Sequence, residues 1–200
     1  MSYSVTGVQT CALPISGGGM GVRVGAFRNF YQEILEENGS FAPVITPALS
    51  HRLIQETVRE AYSAGELTHY AAIKDKPGFL SVLRDAFAEL RSAMVKPSAF
   101  LEYTREASPA RRELAILYNR FLARLETIGW TDAEGQAWLA IEALESNPEL
   151  ASHLSLVIAD GFTSFTASQR QFLKQLGQQA GELVITLTGE IGSERQVDGR

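Results

Sequence analysis

The chain has a single cysteine, Cys11, in 200 residues. One thiol excludes a disulfide framework, a zinc ribbon and a cysteine-ligated cluster within this chain. No apolar run reaches the roughly 18 residues that a membrane span needs. Neither sign of charge dominates, with 18 Lys+Arg against 23 Asp+Glu and a formal charge of -5. That balance excludes a strongly basic nucleic-acid tail and an acidic solvating one. A Gly-rich loop ending in Lys-Ser or Lys-Thr is also missing, so no stretch is built to cradle phosphates. Gly17, Gly18 and Gly19 lack the lysine. What is present is 45% hydrophobic and 20% charged residues, enough for a sizeable core. At roughly 100–200 residues per domain, one large domain or two small ones are expected. The class is a cytoplasmic globular chain, or a piece of one, without membrane contact.

Charge is absent altogether from residues 1–16 (MSYSVTGVQTCALPIS). A secretory signal would need a basic start and an uninterrupted apolar stretch, and Gly7, Gln9, Thr10 and Cys11 interrupt any such run. Residues 5–16 resemble the translation of a short-read sequencing adapter. Residues 1–16 are therefore expected to be a disordered leader outside the fold, with an upstream part of the biological chain lost. A natural flexible leader is the alternative.

Periodicity organises the remainder. Residues 21–26 (GVRVGA) read as a short buried strand. Phe27, Phe30, Tyr31, Ile34 and Leu35 then fall on one face of a helix that Asn38-Gly39 ends. Residues 47–149 carry helical spacing throughout, with starts at Pro47, Pro77 and Ser108-Pro109 and a capping-box spacing at Thr131 and Glu134. Residues 154–159 (LSLVIA) read as a strand, Thr166 and Gln169 as a second capping box opening a helix, and residues 183–187 (LVITL) as another strand. Strand, helix, strand with a short crossover implies parallel pairing. The expected fold is α/β: a parallel sheet from residues 17–46 and 150–190, a helical insertion over 47–149, and a tail over 191–200.

Asp160 is the best local chemical signal, a carboxylate at the carboxyl end of the apolar strand LVIAD. Ligands of open α/β sheets bind at that edge, and such an aspartate can hold Mg²⁺ through water. The alternative is that Asp160 merely opens the Asp-Gly turn. His51, His69 and His153 show no ligand spacing, and Ser164 and Ser168 lack a nucleophile elbow. Arg111-Arg112, and Lys74 with Lys76, make at most small basic patches. Trp130 and Trp138 are expected in the core of the insertion.

Three segments, in order, resemble superfamily-1 helicases. Residues 22–35 (VRVGAFRNFYQEIL) resemble the segment that touches single-stranded DNA, with Gly25 and Phe27 matching and Arg28 replacing a histidine. Residues 156–176 resemble the Walker B segment: Asp160, Phe162 and Gln169 match, while Gly161 replaces the catalytic glutamate and Thr163 a glutamine. Residues 183–190 resemble the strand that follows, with Gly189-Glu190 for glycine-aspartate. These departures, with Pro77-Gly78-Phe79 and Trp130-Thr131-Asp132, resemble the AddB-type subunit of the bacterial ATP-dependent helicase/exonuclease.

The resemblance implies a partial P-loop-NTPase-like sheet with a large all-α insertion. It also implies a parent with ATP, Mg²⁺, a 4Fe-4S cluster, a PD-(D/E)XK nuclease, DNA as ligand and an AddA-type partner. For this chain it implies no cofactor and no catalysis of its own. Asp160 would be the remnant of a nucleotide–Mg²⁺ site, Phe27 a base-stacking residue and Arg28 a phosphate contact. A fragment of an active UvrD-like helicase, and a helical protein-interaction scaffold without nucleic-acid binding, are the two alternatives.

Overall fold

The computed structural model describes residues 2–6, for the backbone alone, and residues 21–187. Four parallel strands form one sheet in the order β2-β1-β3-β4. They are β1 (Ser2–Thr6), β2 (Val22–Gly25), β3 (Leu156–Phe162) and β4 (Leu183–Leu187). β1 stands at the centre, with Ser2 opposite both Val22 and Leu156. The leader expected over residues 1–16 is thereby corrected for residues 2–6, which are part of the fold. Uncharged residues rich in β-favouring types suit a strand, and this strand pairs backbone groups of β2 and β3 that would otherwise lack partners. Cys11, Gly17–Gly19, Gly189-Glu190 and the tail over 191–200 lie outside the described residues.

A long crossover joins β2 to β3 through α1 (Phe27–Glu37), α2 (Pro47–Ser63), α3 (Pro77–Ser92), α4 (Pro97–Thr104), α5 (Pro109–Thr127) and α6 (Ala133–Ser146). A short one, α7 (Ala167–Gln179), joins β3 to β4. Proline opens α2, α3, α4 and α5 at the first turn, where its missing N–H costs nothing. The Thr166–Gln169 capping box forms as expected, each side chain meeting the other's backbone N–H. The other two expected caps differ. Ser108 precedes Pro109, but its hydroxyl makes no capping bond. At α6 the cap is Asp132, whose carboxylate accepts from Gly135 N–H at 2.7 Å. Among the described residues no helix is long and apolar enough to cross a membrane.

Two hydrophobic clusters form the core. One joins α1, α6 and α7 to the inward residues of β3, with Ile34, Leu144, Val157 and Phe172 among its members. The other lies within α2, α3 and α5, around Ile54, Leu83, Phe87, Tyr118 and Phe121. α6 therefore belongs to the layer beside the sheet, although its sequence continues the helical run of the insertion.

A small polar joint connects the two layers. Arg91, at the end of α3, reaches Asp132 with Nη2 at 3.0 Å and lies 4.6 Å from the centre of the Trp138 ring. Trp138 Nε1 returns a hydrogen bond to the Arg91 carbonyl at 2.8 Å. Trp138 thus packs at this seam and not inside the insertion's own cluster. Thr131, 4% exposed, ties the joint to the loop before α2: its N–H donates to the Pro43 carbonyl, and its carbonyl accepts from Ile45 N–H. Within the insertion, buried Glu113 accepts from the backbone N–H groups of Thr68, His69 and Tyr70 and from the Thr68 hydroxyl. Burial alone would raise its pKa, but these four donors outweigh it and hold the carboxyl below its ordinary value.

Three outcomes follow from this packing. A helical Gly→Ala change ordinarily stabilises by up to about 1 kcal/mol. At Gly135 the added Cβ would lie 1.9 Å from Arg91 Nη2 and 2.0 Å from Thr131 Oγ1. Gly135→Ala should instead destabilise by about 1–3 kcal/mol, read from the urea midpoint. Asp132→Ala, which removes the cap and leaves Arg91 unpaired, should cost about 3 kcal/mol. Glu113 has a lowered folded-state pKa, so its contribution is complete above the unfolded carboxylate value. It is lost as pH falls through the folded one. Glu113→Gln should flatten that acid limb in urea titrations between pH 7 and 3.

Candidate functional site

The carboxyl ends of the parallel strands gather the candidate residues at one edge of the sheet. β3 does not stop at Asp160-Gly161 as the turn signal suggests. It continues to Phe162 through a register shift between Ala159 and Phe162. Gly161 supplies the shift with a left-handed backbone, φ 74°. The shift leaves Asp160 exposed, with its carboxylate accepting a hydrogen bond from the Thr186 hydroxyl on β4. Thr186 Oγ1 in turn accepts from Gly161 N–H at 3.1 Å. Thr186 carries no motif, and only the register between β3 and β4 brings it to the aspartate.

Behind this edge lies an aromatic cluster. Phe27 is 7% exposed, and its ring meets Phe162, Tyr31, Phe165 and Phe172 at centroid distances of 5.4 to 6.3 Å. Tyr31 and Phe172 meet edge to face at 4.7 Å. Burial, with Glu134 adding to it, pushes the Tyr31 phenol far above its ordinary pKa, so it stays neutral. The base-stacking role expected for Phe27 is corrected: its faces are occupied by neighbouring rings. The helical spacing that puts Phe27 in register with Phe30, Tyr31 and Ile34 already marked this buried face. Arg28 points the other way. It is exposed and makes no ion pair among the described residues. Gln169 matches the motif in register, yet its side chain is engaged in capping α7.

Of the cofactors that the resemblance implies for the parent, the residues of this chain do not fit the 4Fe-4S cluster. No group of three His, Cys, Asp or Glu that could hold a metal ion occurs among them. Mg²⁺ is held by one or two carboxylates together with substrate phosphates, and at this edge the carboxylate is Asp160, with the Thr186 hydroxyl beside it. A 4Fe-4S cluster is held by four cysteines, and the sequence has one.

Against known proteins, the family described as "ADDB, N-terminal" matches residues 8–199. The chain belongs to this AddB N-terminal family. The match begins inside the stretch expected to be a leader. Three relatives are each named as the B-type subunit of an ATP-dependent helicase/deoxyribonuclease. The protein of Alkaliphilus metalliredigens is 25% identical over 185 residues, which is 90% of this chain and 16% of the relative. That of Streptococcus uberis is 30% identical over 142 residues, 68% of this chain and 12% of the relative. That of Exiguobacterium sibiricum is 24% identical over 182 residues, 89% and 15%. The matched part thus spans between about an eighth and a sixth of the length of these relatives. Family membership accords with the AddB-type resemblance of the sequence and with the mixed α/β architecture.

The different surroundings of the two neighbours in α1 give a direct measurement. Phe27→Ala should lower the unfolding free energy by about 3–5 kcal/mol, as for other buried aromatics. Arg28→Ala should leave it within about 0.5 kcal/mol of the parent in the same denaturant titration.

Proposed function

We propose that this chain is a helicase-like unit that holds DNA and a motor partner without hydrolysing nucleotide. In this reading it acts within the AddB-type subunit of a bacterial helicase/nuclease that processes double-strand breaks for recombinational repair. The supporting observation is the Asp160-Gly161 pair at the carboxyl end of β3. Phosphoryl transfer rests on positioning and electrostatics, and a glutamate that orients water is part of that positioning. A glutamate at residue 161 would have to adopt a backbone with φ 74°, which L side chains rarely take. The aspartate beside it is engaged with Thr186. Both features fit a Walker B segment that has lost its hydrolytic role, and a superfamily-1, P-loop-like ancestry for the sheet.

The name shared by the relatives pairs a helicase with a deoxyribonuclease and marks each as one subunit of it. This supports DNA and a second subunit, of the AddA type, as partners. ATP, Mg²⁺, the 4Fe-4S cluster and the PD-(D/E)XK nuclease are assigned to the parent complex, in the cytoplasm. In this unit DNA contact falls to Arg28, exposed at the start of α1 and suited to a phosphate oxygen.

Electrophoretic titration of the chain with single-stranded DNA at low and high salt tests this reading. Binding should weaken steeply with salt as counterions are released, and Arg28→Ala should lower the salt slope by about 1. Absence of salt-sensitive binding would favour the interaction-scaffold alternative. DNA-stimulated ATP hydrolysis by the chain would instead favour the active-helicase alternative.

A further inference from the structure

Far along the chain from the sheet-edge residues, the carboxyl half of α5, the loop after it and α6 line a cleft of about 380 Å³. Clefts of roughly 300–1,000 Å³ are the size that holds ligands. Both tryptophans of the sequence, Trp130 and Trp138, line it together with Leu122 and Leu139. Trp138 is fixed by its bond to the Arg91 carbonyl and by the Arg91 guanidinium over its ring. Trp130 is 37% exposed, and its indole N–H has no hydrogen-bond partner among the described residues.

Among the described residues lining the cleft, the cation Arg91 is paired with Asp132 outside the lining, which leaves the acidic groups uncompensated. Glu126 and Glu142 line it, and among the described residues neither carboxylate has a hydrogen bond or an ion pair. Asn119, also on the wall, leaves its side-chain amide unengaged among them. Three arginines of α3 and α5 are paired within the chain, while Lys96, next to Pro97 on the lining, is exposed. Arg91 is paired with Asp132, Arg120 with Glu66, and Arg124 with Glu56 and Glu60.

Apolar and aromatic walls with two unpaired carboxylates select their occupant. A phosphate would meet like charge. A purely apolar group would strip water from the carboxylates without replacing it. An arginine side chain answers both features: its stem packs on apolar surface, while its guanidinium stacks on an indole and donates paired hydrogen bonds to carboxylates. Arg91, stacked on Trp138 and paired with Asp132, already makes this combination within the chain. We propose that the cleft is a docking site for an arginine-bearing segment of a partner protein, with the guanidinium meeting Glu126 and Glu142 and the stem lying against Trp130.

Since Trp130 and Trp138 are the only tryptophans, intrinsic fluorescence of the whole chain reports this cleft alone. Titration with the acetylated, amidated tetrapeptide Leu-Arg-Leu-Arg should give a saturable change. The double variant Glu126→Gln with Glu142→Gln should weaken it about tenfold or more, the loss expected for charge-assisted hydrogen bonds. Glu106→Gln, which does not line the cleft, should bind as the parent does, with circular dichroism confirming an unchanged fold in every variant. Any one of four results would overturn the assignment: no saturable response to the arginine peptide, an equal response to Leu-Glu-Leu-Glu, no weakening in the double variant, or a saturable tryptophan response to a single-stranded oligonucleotide alone, without peptide, at low salt. The last would make the cleft a nucleic-acid site.

Discussion

The pairing of Arg91 with Asp132 holds the two layers of the molecule in one arrangement. Arg91 ends a helix of the insertion, Asp132 begins the helix that packs beside the sheet, and Trp138 closes the joint from that second helix. One carboxylate thus serves as helix cap and as counter-ion at once. Gly135 is the space this arrangement requires, since any side chain there would enter the guanidinium. Removing either charge would unseat a helix terminus and leave its partner poorly solvated. The cost arises from desolvation more than from the attraction itself.

The same economy of polar groups recurs at Glu113 and at Asp160. Glu113, on α5, organises the backbone of the segment after α2 from within the insertion. Asp160 and Thr186 tie β3 to β4 where the ladder is broken by the left-handed glycine. Glu113 stands in for regular backbone pairing, which is why a charged side chain is buried there, whereas Asp160 stays exposed and ties the two strands through side chains.

Most helices were legible because burial follows their 3.6-residue period and proline marks the starts of α2, α3 and α5, whereas α4, a short helix opening on Pro97, was not. Phe27, Phe30, Tyr31, Ile34 and Leu35 are all buried, as their spacing requires. The strands β3 and β4 were legible as compact apolar runs, although the register shift within β3 depends on the neighbouring strand. β1 was not legible, because an uncharged stretch without an apolar run gives no periodic signal and gains its role only from strands distant in sequence. The partners of Asp160 and Glu113 were hidden for a related reason: both bonds cross between elements, and local spacing carries no register. Arg28 and Phe27, adjacent in sequence, were separated by helix geometry into solvent and core.

The position of β1 has a kinetic side. Ser2 pairs with Leu156, and almost the whole helical crossover lies between them. Ordering that loop costs entropy before the sheet can return any of it, whereas α2, α3 and α5 meet through shorter closures. By loop length the β3–β4 pair and the helical cluster are expected to close first, and β1 is the strand expected to pair last. In such a sequence of events the complete four-stranded carboxyl edge exists only once the crossover is built, and its assembly reports completion of the fold.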